Sequence, residues 1–357
     1  MRSLRTLVSL SVCCVVILIT SPNCFAQPIM FAHYINMGQA DATLLEFPCG
    51  AILIDAGAQD DAHVDTLVNY LEAFFTARPD LNNTLKSIII THNHIDHTRA
   101  LREVVENFTV ERYIDNGQLG GPGTGDPAWV RNNFNTAGRN IKLREIDDDD
   151  ITALSRKNGL TDADIDPLVC TNCDPQIRIL SGRLDTNPGW SHRDFDNKNN
   201  HSIVVRVDFG GSSFLFTGDL EEDAIDTMVL YYENETTLDV DVYQVGHHGS
   251  HNGTNENLLD AMTPEIAVIS VGDWEFGRGS RNRFTTFAYG HPRRVVLDML
   301  TISVGKKRSQ PIDVWVGEGA RDFRPYRVSK KIYGTGWDGT VKVRAKLDGT
   351  FRVTLSN

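Results

Sequence analysis

Short hydrophobic runs recur along the chain, and most of them end in a polar cluster. The segment HYINMGQADATLLEFPCGAILIDAG, residues 33–57, reads as strand, turn, strand, broken at Pro48, Cys49 and Gly50 and ending at Asp55. Val64, Leu67, Val68, Leu71 and Phe75 then fall at helical spacing, with Pro79 as the stop. Residues 85–91 are apolar and β-branched in a run too short for a helix, which predicts a buried strand. Beyond it Leu101, Val104, Val105 and Phe108 form the apolar stripe of a second helix. Residues 115–200 lose this patterning: a glycine-rich stretch GQLGGPGTGD, the acids Asp147 to Asp150 and a CTNC pair predict a long excursion with little helix. The acidic run fits plain solvated loop, because no EF-hand spacing is met.

Regular patterning returns in SIVVRVDFGGSSFLFTGD, a hairpin turning at Gly210 and Gly211 and ending at Asp219. An amphipathic helix over 224–232 follows, then the strand DVDVYQV running into GHHGSH, which puts His247 and His248 at a strand end. Another strand begins at Ala267 and leads to a loop closed by Gly290, His291 and Pro292. The tail carries turn signals at Asp338-Gly339 and Asp348-Gly349, so it is expected to finish as β structure. Polar residues at successive strand ends are how a layered sheet collects one site from distant sequence.

The densest cluster is THNHIDH, where strand spacing points His92 and His94 the same way and Asp96 and His97 follow as a second pair. Imidazoles and carboxylates on a rigid strand-to-helix loop suit zinc and its first-row neighbours. His92 and His94 are expected to hold one ion, and Asp96, His97 and His247 a second. Asp219 would bridge the ions across about 3.5–4 Å, and a shared hydroxide would be the nucleophile.

Arg2 and Arg5, an apolar core to Ile19 and a small-residue exit at Ala26 read as a signal peptide over 1–26, the core being shorter than a membrane span requires. The expected product is secreted or periplasmic, with no membrane segment after cleavage. Losing those two arginines takes the formal net charge from -12 to -14, which disfavours extended nonspecific DNA binding. In an exported chain Cys170 and Cys173 are expected to form a small disulfide, leaving Cys49 as a buried turn residue.

The order LIDAG, THNHIDH, TGD and VGHHGS resembles the metallo-β-lactamase superfamily from about residue 31 to 304. Within it INMGQADATLLE, KNNHSIVV, FLFTGD, VGHHGS, AVISVG and YGHP are similar to the exported hydrolase domain of the DNA-uptake competence protein ComEC. The resemblance implies a four-layered αββα sandwich over 27–304, with a long insertion at about 116–198 and a C-terminal β extension over 305–357. It also implies two divalent ions, zinc or manganese, on His92, His94, Asp96, His97, Asp219 and His247. Asp96, Asp219 and His291 would be catalytic, Asp55 would support the ligands from behind, and His201 and His248 would be spare ligands. The chain departs from the pattern where Arg99 and Ala100 replace glycines, where Asn36 replaces an aspartate, and where Asn199 and Asn200 occupy the region that usually supplies a third histidine. Arg278, Arg281, Arg283, Arg293 and Arg294 surround His291 with no acid among them, a rim suited to phosphate oxygens. Asn200, Arg281, Arg283 and His291 are therefore the expected substrate contacts. The implied activity is phosphodiester hydrolysis on a small molecule or a nucleic acid; lactone or ester hydrolysis, or a metal-binding module without turnover, are the alternatives.

Overall fold

The computed structural model describes residues 28–154 and 156–356, so the signal-peptide reading lies outside the described residues. Two sheets form the centre. The first has eight strands, in the order Phe351–Leu355, Val341–Lys346, Ile29–Tyr34, Thr43–Phe47, Gly50–Ile54, Ser87–Ile89, Arg112–Asp115, Lys142–Glu145. The second has six, in the order Ile332–Gly334, Ile266–Ile269, Val242–Gln244, Ser212–Phe216, Val204–Phe209, Gln176–Ser181.

Side-chain alternation sorts these strands into layers. Phe214 and Phe216 face Tyr34, Ile52 and Ile54 in a core between the sheets, while Leu215 faces the opposite way. On the outer face of the first sheet, helix Asp61–Ala77 buries Val64, Leu67, Leu71, Phe74 and Phe75, with Leu101, Val104 and Val105 of helix Leu101–Asn107 beside it. On the outer face of the second, helices Glu222–Tyr231 and Arg294–Ser303 pack Ile225, Leu297 and Leu300 against Leu215 and Tyr243. The result is a four-layered αββα sandwich. Asp60 accepts from the His63 amide at 3.1 Å and caps the first helix, as an acid at that position does.

Three expectations need correction. The excursion is only partly loop: Lys142–Glu145 and Gln176–Ser181 close one edge of each sheet, and the acidic run starts helix Asp148–Thr152, with Asp147 capping the Asp150 amide. Negative charge at a helix N-terminus is favourable, which explains the run without calcium. Asp338-Gly339 ends the short helix Thr335–Asp338 rather than turning a hairpin; of the tail strands, Ile332–Gly334, Val341–Lys346 and Phe351–Leu355 pair into the main sheets, while Lys307–Gly319 and Asp322–Lys330 form a separate C-terminal hairpin. Finally, Cys170 bonds Cys49, which is 121 residues away, and Cys173 is a buried free thiol. That bond ties the turn of the opening hairpin to the excursion, so Cys49 is a structural anchor.

Candidate metal centre

The site lies at the C-terminal ends of parallel strands from both sheets. Strand Gly50–Ile54 delivers Asp55 in a left-handed conformation, φ 56°, which an aspartate tolerates better than most residues. Asp55 then spans the neighbouring strand end: its Oδ1 accepts from the Thr91 amide at 2.8 Å, and its Oδ2 accepts from His97 Nδ1 at 2.7 Å. The carboxylate thereby fixes the imidazole tautomer and turns His97 Nε2 towards Asp219 Oδ1, at 3.2 Å. No hydrogen bond satisfies this buried Nε2.

His248 repeats the arrangement. Its Nδ1 donates to the Ser270 carbonyl at 2.8 Å, and its buried Nε2, also without a hydrogen bond, faces Asp96 Oδ2 at 3.5 Å and Asp219 Oδ1 at 3.8 Å. His92 is fully buried, with Nε2 3.1 Å from His94 Nδ1 and 3.8 Å from Asp219 Oδ2. His247 Nε2 approaches the same oxygen at 3.7 Å. The two oxygens of Asp219 thus divide the cluster, with His92 and His247 on one side and His97 and His248 on the other. Ligand atoms of His92, His97 and Asp219 lie within 4.8 Å of one another, as do those of Asp96, His97 and His248.

Electrostatics give the same picture of a cavity waiting for positive charge. Burial opposes the His97 and His248 cations, yet Asp219 with Asp55 or Asp96 outweighs it: His97 is held well above its ordinary range and His248 is raised to about 9. Burial likewise opposes the Asp219 anion, but His97, His247 and His248 hold its carboxyl well below the usual range. Burial keeps His92 and His94 neutral, with lowered pKa values. A divalent cation would satisfy the same carboxylates and take the inward nitrogens of these imidazoles as ligands. The donor set therefore fits a metal, and His92, His94, His97, His247, His248, Asp96 and Asp219 are the residues able to hold one.

Other expected contacts fall elsewhere. Both His201 nitrogens are used by backbone, Nε2 donating to the Phe195 carbonyl at 2.6 Å and Nδ1 accepting from the Leu184 amide at 3.1 Å, so it does not reach the cluster. Asn200 is similarly engaged with Asp194 and Glu221. Arg281 and Arg283 lie exposed on the loop before helix Thr286–Tyr289. Arg278 pairs with Glu275 and Arg294 with Glu318, so the rim's acids come from outside the stretch that seemed free of them. Arg281, Arg283 and Arg293 have no carboxylate partner among the described residues. His291 is buried beside the cluster, its ring centroid 5.8 Å from that of His247 and 5.3 Å from Tyr289.

The GQAD segment carries part of the resemblance, but its spacing gives Asp41 no role. Asp41 is buried, takes hydrogen bonds from Gln244 Nε2 and Ser270 Oγ, and donates its amide to the Asp96 carbonyl at 2.9 Å. Burial, with Asp55 nearby, raises its carboxyl to about 6. The available signal was Gln244, a polar residue inside a buried strand, which demands a polar partner. The glycine-rich stretch was also undervalued. Thr98 Oγ1 donates to the Gly123 carbonyl at 2.8 Å and Asn93 Nδ2 to that of Gln118, so this stretch braces the ligand loop from outside.

The metallo-beta-lactamase superfamily profile matches residues 35–273. The chain is 26% identical to ComE operon protein 3 of Bacillus subtilis over 319 residues, covering 84% of this chain but 34% of that protein. Recombination protein 2 of Haemophilus influenzae matches at 43% identity over 76 residues, 21% of this chain and 9% of the relative. The chain thus spans about a third or less of these relatives' lengths. Among solved structures, CmlA, a diiron β-hydroxylase from Streptomyces venezuelae, aligns over 85% of this chain and 54% of its own at 17% identity and TM-score 0.42. With the profile matching well over half of its length, the chain belongs to the metallo-β-lactamase superfamily.

Proposed function

We propose that the protein is an exported metal-dependent phosphodiesterase using two divalent ions, zinc or manganese. His92, His94 and His247 with Asp219 would hold one, and Asp96, His97 and His248 with Asp219 the other. His247 thereby fills the place of the third histidine that the family usually supplies from the Asn199 region. The observation that carries this reading is the pair of buried, unsatisfied Nε2 atoms of His97 and His248 facing carboxylates. The chemistry a divalent ion supplies at such a site is Lewis acidity towards a phosphoryl or carbonyl oxygen and a lowered water pKa.

The chain's own residues do the rest. The Gln39 amide is oriented by the Gly272 amide, which donates to its oxygen at 3.4 Å, so its nitrogen faces His291 Nδ1 at 3.4 Å. That leaves the His291 proton on Nε2. Burial, with His247 and His248 close by, keeps the imidazole neutral, so it donates a hydrogen bond to a substrate oxygen without adding charge. Arg293, free of a carboxylate partner among the described residues, and the exposed Arg281 and Arg283 support an anionic substrate. The Cys49–Cys170 disulfide supports export, because such bonds persist in oxidising compartments. Among the described residues no helix is long and apolar enough to cross a membrane. The resemblance of its motifs to the DNA-uptake competence protein ComEC supports a nucleic-acid-derived substrate.

The deciding experiment compares metal-loaded protein on bis(p-nitrophenyl) phosphate, a lactone and p-nitrophenyl acetate. Phosphodiester turnover abolished by chelation is expected. Turnover of the carbonyl substrates alone, or bound metal without turnover, would overturn the proposal.

A further inference from the structure

Beside His291 the molecule has a cleft of about 210 Å³ whose walls include Trp274, Trp315 and Trp337. The chain has 5 tryptophans, and three of them meet here. They arrive from separate parts of the sequence: Trp274 from the loop after strand Ile266–Ile269, Trp315 from strand Lys307–Gly319 of the C-terminal hairpin, and Trp337 from the short helix Thr335–Asp338. Trp274 and Trp315 stack on each other, with centroids 4.6 Å apart and planes 19° apart, and Phe323 of the partner hairpin strand backs Trp274 at 5.6 Å. The floor is backbone. A Cβ on Gly336 would lie 2.4 Å from the Gly272 carbonyl oxygen, so the absence of a side chain lets these two backbone segments meet at that end of the cleft.

A stacked pair of indoles is a costly surface to leave wet, and Trp315 is 40% exposed. Packing of the core does not account for it, because the hairpin already buries Val314, Val316 and Val328 on its other face. The cleft also has a direction. His291 lines it and at the same time neighbours His247 and Gln39, so a substrate held at the metal-ligand cluster has this cleft one residue away. Its volume is below that of drug-sized pockets, roughly 300–1,000 Å³, and suits a single ring system.

The geometry points to an aromatic subsite: Trp274, Trp315 and Trp337 seat a planar ring carried on the phosphoryl group whose ester bond is cut beside His291. The C-terminal hairpin, which contributes no metal-site residue, is the element that selects this ring. This inference deepens the proposed phosphodiesterase reading by naming the group attached to the phosphate. A stack of indoles accepts any flat π-face, so the ring is a nucleobase or a simpler aryl group.

Two measurements test it, one without catalysis. Thymidine and phenol, which carry no phosphate, are titrated into full-length metal-loaded protein while tryptophan fluorescence is followed. Saturable quenching by thymidine, lost in Trp315→Ala and retained in Trp315→Phe, is expected; quenching by thymidine alone assigns a nucleobase, and equal quenching by phenol assigns an aryl ring. In the second measurement kcat/KM is compared for thymidine 5′-(p-nitrophenyl) phosphate and methyl p-nitrophenyl phosphate. Trp315→Ala should lose roughly 5- to 150-fold on the first, the range carried by one base–aromatic stack; a loss confined to it assigns the nucleobase, an equal loss on the second assigns the aryl ring, and no loss on either overturns the subsite. Absence of saturable quenching in the wild-type protein overturns the subsite whether or not any phosphodiester is hydrolysed. Ring binding without phosphodiester turnover would instead keep the subsite and remove the activity.

Discussion

Replacing Asp55 with asparagine tests how the ligand geometry is set, because the substitution keeps the side-chain shape and turns one accepting oxygen into a donating NH2. In the native site both Asp55 oxygens accept, Oδ1 from the Thr91 amide at 2.8 Å and Oδ2 from His97 Nδ1 at 2.7 Å. An asparagine that still accepts from Thr91 must aim its NH2 at His97. Nδ1 then becomes an acceptor and the imidazole proton moves to Nε2, the atom facing Asp219, so the lone pair a metal needs is lost. Removing such a support behind a ligand weakens metal affinity by about 10- to 100-fold. With free metal held a thousandfold above the wild-type Kd, binding stabilises the wild-type fold by about 4.1 kcal/mol; the variant should retain about 2.7 to 1.4 kcal/mol under the same conditions. Chemical denaturation with and without metal reads both numbers. Metal-induced stabilisation equal to that of the wild type would refute the tautomer argument.

Three further outcomes follow from the geometry. A Cβ on Gly57 would lie 1.6 Å from the Asp96 carbonyl oxygen, so Gly57→Ala should push the ligand loop away and weaken metal uptake in a competition assay with a chromophoric chelator, even where circular dichroism shows the fold retained. A denatured chain without residues 1–26 should titrate with one free thiol, Cys173; Cys170→Ser should cost about 2–5 kcal/mol and Cys173→Ser far less, by denaturant unfolding. Burial raises the carboxyls of Asp126 and Asp166 to about 6, so the folded state binds their protons more tightly than the unfolded chain. Their contribution is present at pH 4 and lost as pH rises through 6, so Asp126→Asn should raise Tm relative to wild type at pH 8 and leave it unchanged at pH 4.

The layers and the ligand loop were legible because their signals are local. Strand ends at Asp55, Thr91 and Asp219, and the apolar stripe of helix Asp61–Ala77, follow from residue spacing alone. What escaped depended on contacts between distant segments. The partner of Cys170 lies 121 residues away, and only the fold brings the first hairpin to the excursion. His201 sits next to the strand carrying the second sheet's core, and nothing in its neighbours in sequence reveals that Leu184 and Phe195 occupy both its nitrogens. The roles of His247 and His248 turn on two consecutive left-handed residues, φ 49° and 52°, which send adjacent imidazoles to opposite oxygens of Asp219. The arginine rim looked free of acids because Glu275 and Glu318 lie outside the stretch and meet it only in space.

A two-metal phosphodiesterase site organised by Asp219 is tested most directly by titrating metal-free protein with zinc or manganese, following bound metal and bis(p-nitrophenyl) phosphate hydrolysis in the same samples, for wild type and Asp219→Asn. Wild type should bind two equivalents, with hydrolysis rising through the second, and the variant should reach neither full stoichiometry nor turnover. Hydrolysis by Asp219→Asn at the wild-type rate, or a wild-type protein that fills with metal and leaves the phosphodiester intact, would contradict it.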